Sequence, residues 1–193
     1  LMNCHLALRA FEFFSLNMKP ELLSEGLNVD LIRVGISAAR NPGRWERFSP
    51  TWSVADFILD GAHNPSGIRR ALDEFISLPA SKRTIVFGMK ATKHVDEILP
   101  MIVESADSIV FVPVPDVEYH QPDEMKNTAR CIMDRGDYKE REDRFSQIQL
   151  FCADSISEGL KTACGITPSD GLILVTGSLY MVGAARTIVK GEV

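Results

Sequence analysis

From about residue 57 onward, short apolar runs alternate with stretches of helical period, and this alternation limits the fold more than any other feature of the chain. The β candidates are Phe57–Asp60, Thr84–Phe87, Ser108–Val112, Gln147–Phe151 and Leu172–Val175. Between them, apolar side chains recur at helical spacing: Ile68, Leu72, Phe75 and Ile76; Val95, Ile98, Leu99 and Ile102; Met125, Ala129, Ile132 and Met133; Ile156, Leu160 and Ala163. Met181, Ala185 and Ile188 close the series. Several β runs are continuously apolar, as expected of strands covered by helices on both faces. The alternation predicts an α/β fold built on a doubly wound, mainly parallel sheet, and right-handed crossovers leave few topologies for it. Asp134–Arg144 mixes both signs of charge and is expected to be a solvated loop or helix face.

The first 41 residues have a different pattern. Ala7, Ala10, Phe11 and Phe14 share one face of a helix predicted over residues 3–16, which Asn17 and Pro20 then stop. A second short helix, around Asp30–Ala39, carries Ile32 and Ile36 one turn apart. Asn41-Pro42-Gly43 breaks it, because the residue before proline avoids the α region and glycine permits positive φ. The domain boundary is therefore expected near residue 41, with residues 1–41 as an appendage and residues 42–193 as the α/β domain. The first residue is Leu1 and Met2 falls within the first helix, so the chain is expected to be a piece of a longer protein.

Composition narrows the function classes. A hydrophobic fraction of 45% with 24% charged residues is ordinary for a globular protein. The net charge of −5 gives no electrostatic reason to expect nucleic acid or an anionic membrane as a partner. A phosphate ligand would have to be held by local donors against that net field. Cys4, Cys131, Cys152 and Cys164 form no Cys-x-x-Cys pair and match no metal framework, which predicts free thiols in a reducing compartment. With no signal pattern and no apolar run near the ~20 residues that span a bilayer, the expectation is a soluble, cytoplasmic protein.

The segment Phe57-Ile58-Leu59-Asp60-Gly61-Ala62-His63-Asn64-Pro65 carries the most chemistry. A buried strand ends in Asp60, Gly61 allows a tight turn, and Asn64 is placed to cap a helix whose first residue is Pro65. Ligands of open α/β sheets lie beyond the carboxyl ends of the strands, so Asp60 and His63 are expected at the ligand-facing rim, beside a helix N-terminus. A carboxylate there suits ribose hydroxyls; an imidazole suits a flat ring or a phosphate. The plainer reading is an aspartate that closes a turn and a loop histidine.

Asp60–Pro65 resembles the Asp-Gly-Ala-His-Asn-Pro signature of folylpolyglutamate and dihydrofolate synthases, members of the wider Mur ligase superfamily. Three further stretches agree in order and approximate spacing. Asn3-Cys4-His5-Leu6-Ala7-Leu8-Arg9-Ala10-Phe11-Glu12 resembles the helix that closes the family's central ATPase domain. Pro42-Gly43-Arg44-Trp45-Glu46 resembles the hinge before the C-terminal domain, with Asn41 where the family has tryptophan. Gly177-Ser178-Leu179-Tyr180 resembles the family's closing segment.

The resemblance implies a Mur ligase C-terminal, Rossmann-like domain, preceded by one or two helices left over from the central domain. It implies an ATP site shared between domains, in which Asn3 bonds the adenine edge, Arg44 reaches the phosphates, Asp60 holds the ribose and His63 lies close to the nucleotide. Ser178 is a candidate facing the substrate. The plainer alternatives are a helix cap for Asn3, a solvated charge for Arg44 and a turn residue for Ser178. The implied reaction uses ATP and Mg2+ to add L-glutamate to dihydropteroate or reduced folates in a monomeric enzyme. The resemblance places the magnesium ligands in the central ATPase domain, and no Gly-x-x-x-x-Gly-Lys-Ser/Thr phosphate loop occurs in this chain. Alone, the chain is expected to be inactive. One departure stands out: after Phe87-Gly88-Met89 the family usually has Asp-Lys-Asp, whereas Thr92 and His94 flank Lys93 here. The alternatives are a Mur ligase of peptidoglycan synthesis and a stand-alone nucleotide-binding α/β module.

Overall fold

The computed structural model describes residues 41–134 and 147–191, with scattered positions among residues 1–40. The chain divides into two compact units, Leu1–Asn41 and Pro42–Val193. In the first, the described residues Arg9, Ala10, Phe13, Asn17, Val34, Gly35 and Ala38 are helical. Asn17 is itself helical, and its side-chain Nδ2 donates to the Phe13 carbonyl, one turn back, at 2.7 Å. The Ala7, Phe11 and Phe14 face and the Ile32–Ile36 pair lie outside the described residues.

The second unit runs β1 (Glu46–Phe48), β2 (Asp56–Asp60), α1 (Pro65–Ser77), β3 (Arg83–Phe87), α2 (Val95–Ser105), β4 (Ser108–Phe111), α3 (Pro122–Met133), β5 (Gln149–Cys152), α4 (Ile156–Ile166), β6 (Leu172–Thr176) and α5 (Leu179–Lys190). The strands form one sheet in the order β1-β2-β6-β3-β4-β5. All neighbours are parallel except β1, which runs antiparallel to β2 at the edge. The five parallel strands coincide with the apolar runs to within one or two residues. β1 is unforeseen: its three residues hold one half-buried apolar side chain, Phe48, too little for a periodic signal.

Alternation within each strand sorts the core into two layers. Ile58, Ile85, Phe87, Ile109, Phe111 and Leu174 point to the side covered by α1, α2 and α3. Phe57, Leu59, Val86, Val110, Ile173 and Val175 point to the side covered by α4 and α5. Each central strand is thus apolar on both faces, which explains its uninterrupted run of Val, Ile, Leu and Phe. The helix stripes match the sequence reading, with one correction. Ile68, Leu72 and Phe75 of α1 are buried but Ile76 is 46% exposed, because it lies at the margin of the stripe.

The layer arrangement locates the site. The helices after β2 and β3 lie on one face, while the helix after β6, which sits between those strands, lies on the other. The chain therefore diverges at the carboxyl end of β6, the kind of switch point where open α/β sheets bind ligands.

Candidate functional site

Four segments meet at that switch point and are tied by backbone hydrogen bonds. The Gly61 N–H donates to the Gly43 carbonyl at 2.7 Å, the Gly177 N–H to the Ala62 carbonyl at 3.0 Å, and the Gly88 N–H to the Thr176 carbonyl at 3.4 Å. The segment before β1 and the loops after β2, β6 and β3 thus share one rim. Close approach explains its glycines. A Cβ on Gly61 would lie 2.3 Å from Leu179 Cδ2, and one on Gly88 would lie 2.7 Å from the Val112 carbonyl oxygen. Among the described glycines only Gly43, Gly177 and Gly191 have positive φ; Gly61 does not, and its missing side chain leaves room for Leu179.

Asp60 ends β2 with both carboxylate oxygens engaged: Oδ1 accepts from the Ala62 N–H at 2.9 Å and Oδ2 from the Trp45 N–H at 3.0 Å. A carboxylate has about four acceptor positions, so Asp60 retains capacity for a ligand hydroxyl. Its first structural job is to tie Trp45 to the end of β2. His63 places Nδ1 2.9 Å from the Gly61 carbonyl oxygen. Since that oxygen only accepts, Nδ1 carries the hydrogen and Nε2 is left for a ligand. Asn64 caps α1, its Oδ1 accepting from the Gly67 N–H at 2.8 Å, and Pro65 starts the helix. No acidic residue lies in the first turn of α1, so the positive end of its dipole is not offset there. Replacing Asn64 by alanine should cost about 0.5–2 kcal/mol of stability, read as a lowered midpoint in urea unfolding.

Arg44 is exposed, between Gly43 and the half-buried Trp45. Ser178 is 2% exposed at the head of α5, and neither its Oγ nor the Thr176 Oγ1 has a hydrogen-bond partner among the described residues. Next to it, Lys90 Nζ lies 4.0 Å above the ring of the half-exposed Tyr180. The loop in which Thr92 and His94 flank Lys93 is held by the segment before α3: Lys90 bridges Tyr119, and His120 Nε2 lies 2.9 Å from the Lys93 carbonyl oxygen. His94 precedes α2 without a side-chain capping bond. Asn3 lies outside the described residues.

Sequence reasoning missed a bidentate ion pair. Arg186 of α5 donates to Glu46 of β1 through Nε, 2.8 Å from Oε2, and through its terminal nitrogen, 3.0 Å from Oε1. The two residues are 140 positions apart, so no local pattern links them. Hydrogen bonding by Arg186 is the main reason the Glu46 carboxyl is held below its ordinary value of 4.5, with the Gly43 N–H and the charge of Lys190 adding to it and desolvation opposing. A depressed folded value means the stabilisation is complete above the unfolded value and is lost as pH falls through the folded one. The melting temperature of the native chain should therefore drop faster than that of Glu46→Gln once pH falls below 4.5, and the two should converge at the acid end.

Among the described residues no group of three or more His, Cys, Asp or Glu side chains is placed to hold a metal ion, and the described cysteines Cys131, Cys152 and Cys164 are free. Among them, too, no helix is long and apolar enough to cross a membrane.

Fold and rim together define a doubly wound α/β domain whose switch-point edge is built from glycine-bearing loops. The sequence model described as "Mur ligase, glutamate ligase domain" matches residues 43–179, and the chain belongs to that family. The folylpolyglutamate synthase of Lacticaseibacillus casei is 29% identical over 160 residues, covering 83% of this chain and 32% of that protein. The dihydrofolate synthase/folylpolyglutamate synthase of Mycobacterium tuberculosis is 25% identical, covering 96% of this chain and 37% of the relative. Among solved structures, E. coli FolC in complex with DHPP and ADP superposes with a TM-score of 0.69 at 19% identity, over 86% of this chain and 35% of that one. At that identity the likeness establishes the fold. The chain spans about a third of the length of these relatives.

Proposed function

We propose that this chain is the C-terminal part of an ATP-dependent ligase that adds L-glutamate to dihydropteroate, to reduced folates, or to both. In that reaction the γ-phosphoryl group of ATP passes to a carboxylate oxygen of the acceptor and ADP leaves. The glutamate amine then attacks the acyl carbon, releasing phosphate and a proton. Such transfers depend mainly on positioning and charge neutralisation. The observation that carries the reading is the convergence of Arg44, Asp60, His63 and Ser178 on one switch-point rim in a chain of the Mur ligase glutamate-ligase family. The folate-ligase relatives favour it over a peptidoglycan ligase or a stand-alone nucleotide module.

In this role Arg44 supplies a fixed positive charge to the phosphates, Asp60 uses its remaining acceptor positions for the ribose, and His63 presents Nε2 to the nucleotide. Asn3 would hold the adenine edge. The buried Ser178 Oγ, without a hydrogen-bond partner among the described residues, supports Ser178 as a candidate contact to the acceptor or glutamate. No ligand cluster for magnesium occurs among the described residues, and its ligands are proposed to lie in the central ATPase domain. Residues 1–41 are proposed to be the last helices of a central ATPase domain, and residues 42–193 the domain that closes over it in a cytoplasmic monomer. Reading the gene upstream of Leu1 tests this: a Gly-x-x-x-x-Gly-Lys-Ser/Thr phosphate loop is expected there. An upstream region without one would remove the ligase reading.

A further inference from the structure

Arg44 sits between two residues with left-handed backbone conformation, Gly43 at φ 69° and Trp45 at φ 50°. Glycine adopts that region freely; tryptophan, with a Cβ and a bulky ring, does so only where its surroundings impose it. The imposing contacts are on both sides of Arg44. The Trp45 N–H ends on Asp60 Oδ2 at 3.0 Å, and its ring packs on the core layer beneath α1–α3. The Gly43 N–H ends on Glu46 Oε2 at 2.9 Å, and the Gly43 carbonyl takes the Gly61 N–H at 2.7 Å. Glu46 is itself held by the two-point contact from Arg186, so α5 fixes the carboxylate that fixes Gly43.

We infer that Glu46 and Arg186 are positioning residues for Arg44. Together they lock the backbone on its N-terminal side while Asp60 locks the other, so that an exposed guanidinium is presented in one direction to an anionic ligand. This rests on the reading of Arg44 as a phosphate contact. The geometry matters because displacement of a binding group by about 1 Å, from a change outside the chemistry, costs as much as a hundredfold in rate. Glu46→Gln removes the charge and replaces one of the two oxygens that Arg186 and the Gly43 N–H share with an N–H2, which loosens the hold on Gly43.

The test is a double-mutant cycle in the complete ligase, with ATP and glutamate varied separately. Glu46→Gln and Arg186→Ala are each expected to lower kcat/KM for ATP by between about tenfold and a hundredfold, with KM for glutamate unchanged. Arg186→Lys should restore part of the loss, and Glu46→Gln should add almost nothing once Arg44→Ala is present. Hydrogen exchange at the Gly43 and Trp45 amides is read in parallel, and should quicken at Gly43 in Glu46→Gln. A loss of equal size in the Arg44→Ala background means the pair serves general stability and overturns the inference, as does unchanged exchange at Gly43. If Arg44→Ala alone leaves the ATP kinetics untouched, the phosphate role of Arg44 fails and the inference fails with it. Fast exchange at Gly43 in Glu46→Gln would then assign the failure to the Arg44 reading rather than to the clamp.

Discussion

Gly177→Ala is expected to lower the stability of the α/β domain by about 2–6 kcal/mol, the largest stability effect of any single methyl group added at the rim. The estimate sums the strain of a non-glycine residue at an unfavourable φ, about 1–3 kcal/mol, and the cost of overpacking, also about 1–3 kcal/mol. Gly177 has φ 112°, and a Cβ there would stand 2.5 Å from the Gly88 carbonyl oxygen and 2.8 Å from the Phe87 ring. Neither neighbour yields cheaply. Gly88 is backbone at the end of β3, and Phe87 is fully buried with its ring edge-to-face on Phe111 at 6.4 Å. Gly61→Ala offers a contrast. Its closest obstacles are side-chain atoms of Leu179, Cδ2 at 2.3 Å and Cγ at 2.8 Å, with the Cα at 3.2 Å; that side chain is 41% exposed and less confined than Phe87. Urea unfolding of the two variants should place Gly177→Ala clearly below Gly61→Ala. The reverse order would mean that packing at Leu179, rather than backbone geometry at β6, limits the rim.

If the proposed ligase reading holds, the largest expected effect on activity is that of Arg44→Ala in the complete protein. Loss of one fixed donor from a developing phosphoryl charge typically costs 10²–10³ in rate, so kcat/KM for ATP should fall at least about a hundredfold. Arg44 is exposed, so its removal should leave the melting temperature nearly unchanged. A catalytic loss without a stability loss separates a ligand contact from a structural charge. If kcat/KM stays within about twofold of the native value, the guanidinium is only solvated surface.

How far each feature was legible follows from how local its cause is. The five parallel strands show in the sequence because each is buried on both faces and needs an unbroken apolar run, as in Ile85-Val86-Phe87 and Ile173-Leu174-Val175. Asn64 and Pro65 announce the start of α1 for an equally local reason, a cap and a first-turn proline side by side. β1 does not show, because it is held by pairing with β2 and by Arg186, not by a pattern of its own. The same limit applies at the rim. A carboxylate at the end of a strand marks the rim in sequence, but that Asp60 spends one oxygen on Ala62 and the other on Trp45 depends on a contact fifteen residues away. The close approach of Leu179 to Gly61 is not legible locally, because Leu179 comes from the far end of the chain.

The central claim is that this rim belongs to a ligase that joins glutamate to a pterin-derived acceptor. The most direct measurement incubates the complete protein with ATP and labelled L-glutamate, offering dihydropteroate and tetrahydrofolate in parallel. Label entering at least one acceptor with release of ADP and phosphate is the predicted result. ATP turnover with no label in either acceptor would contradict the account.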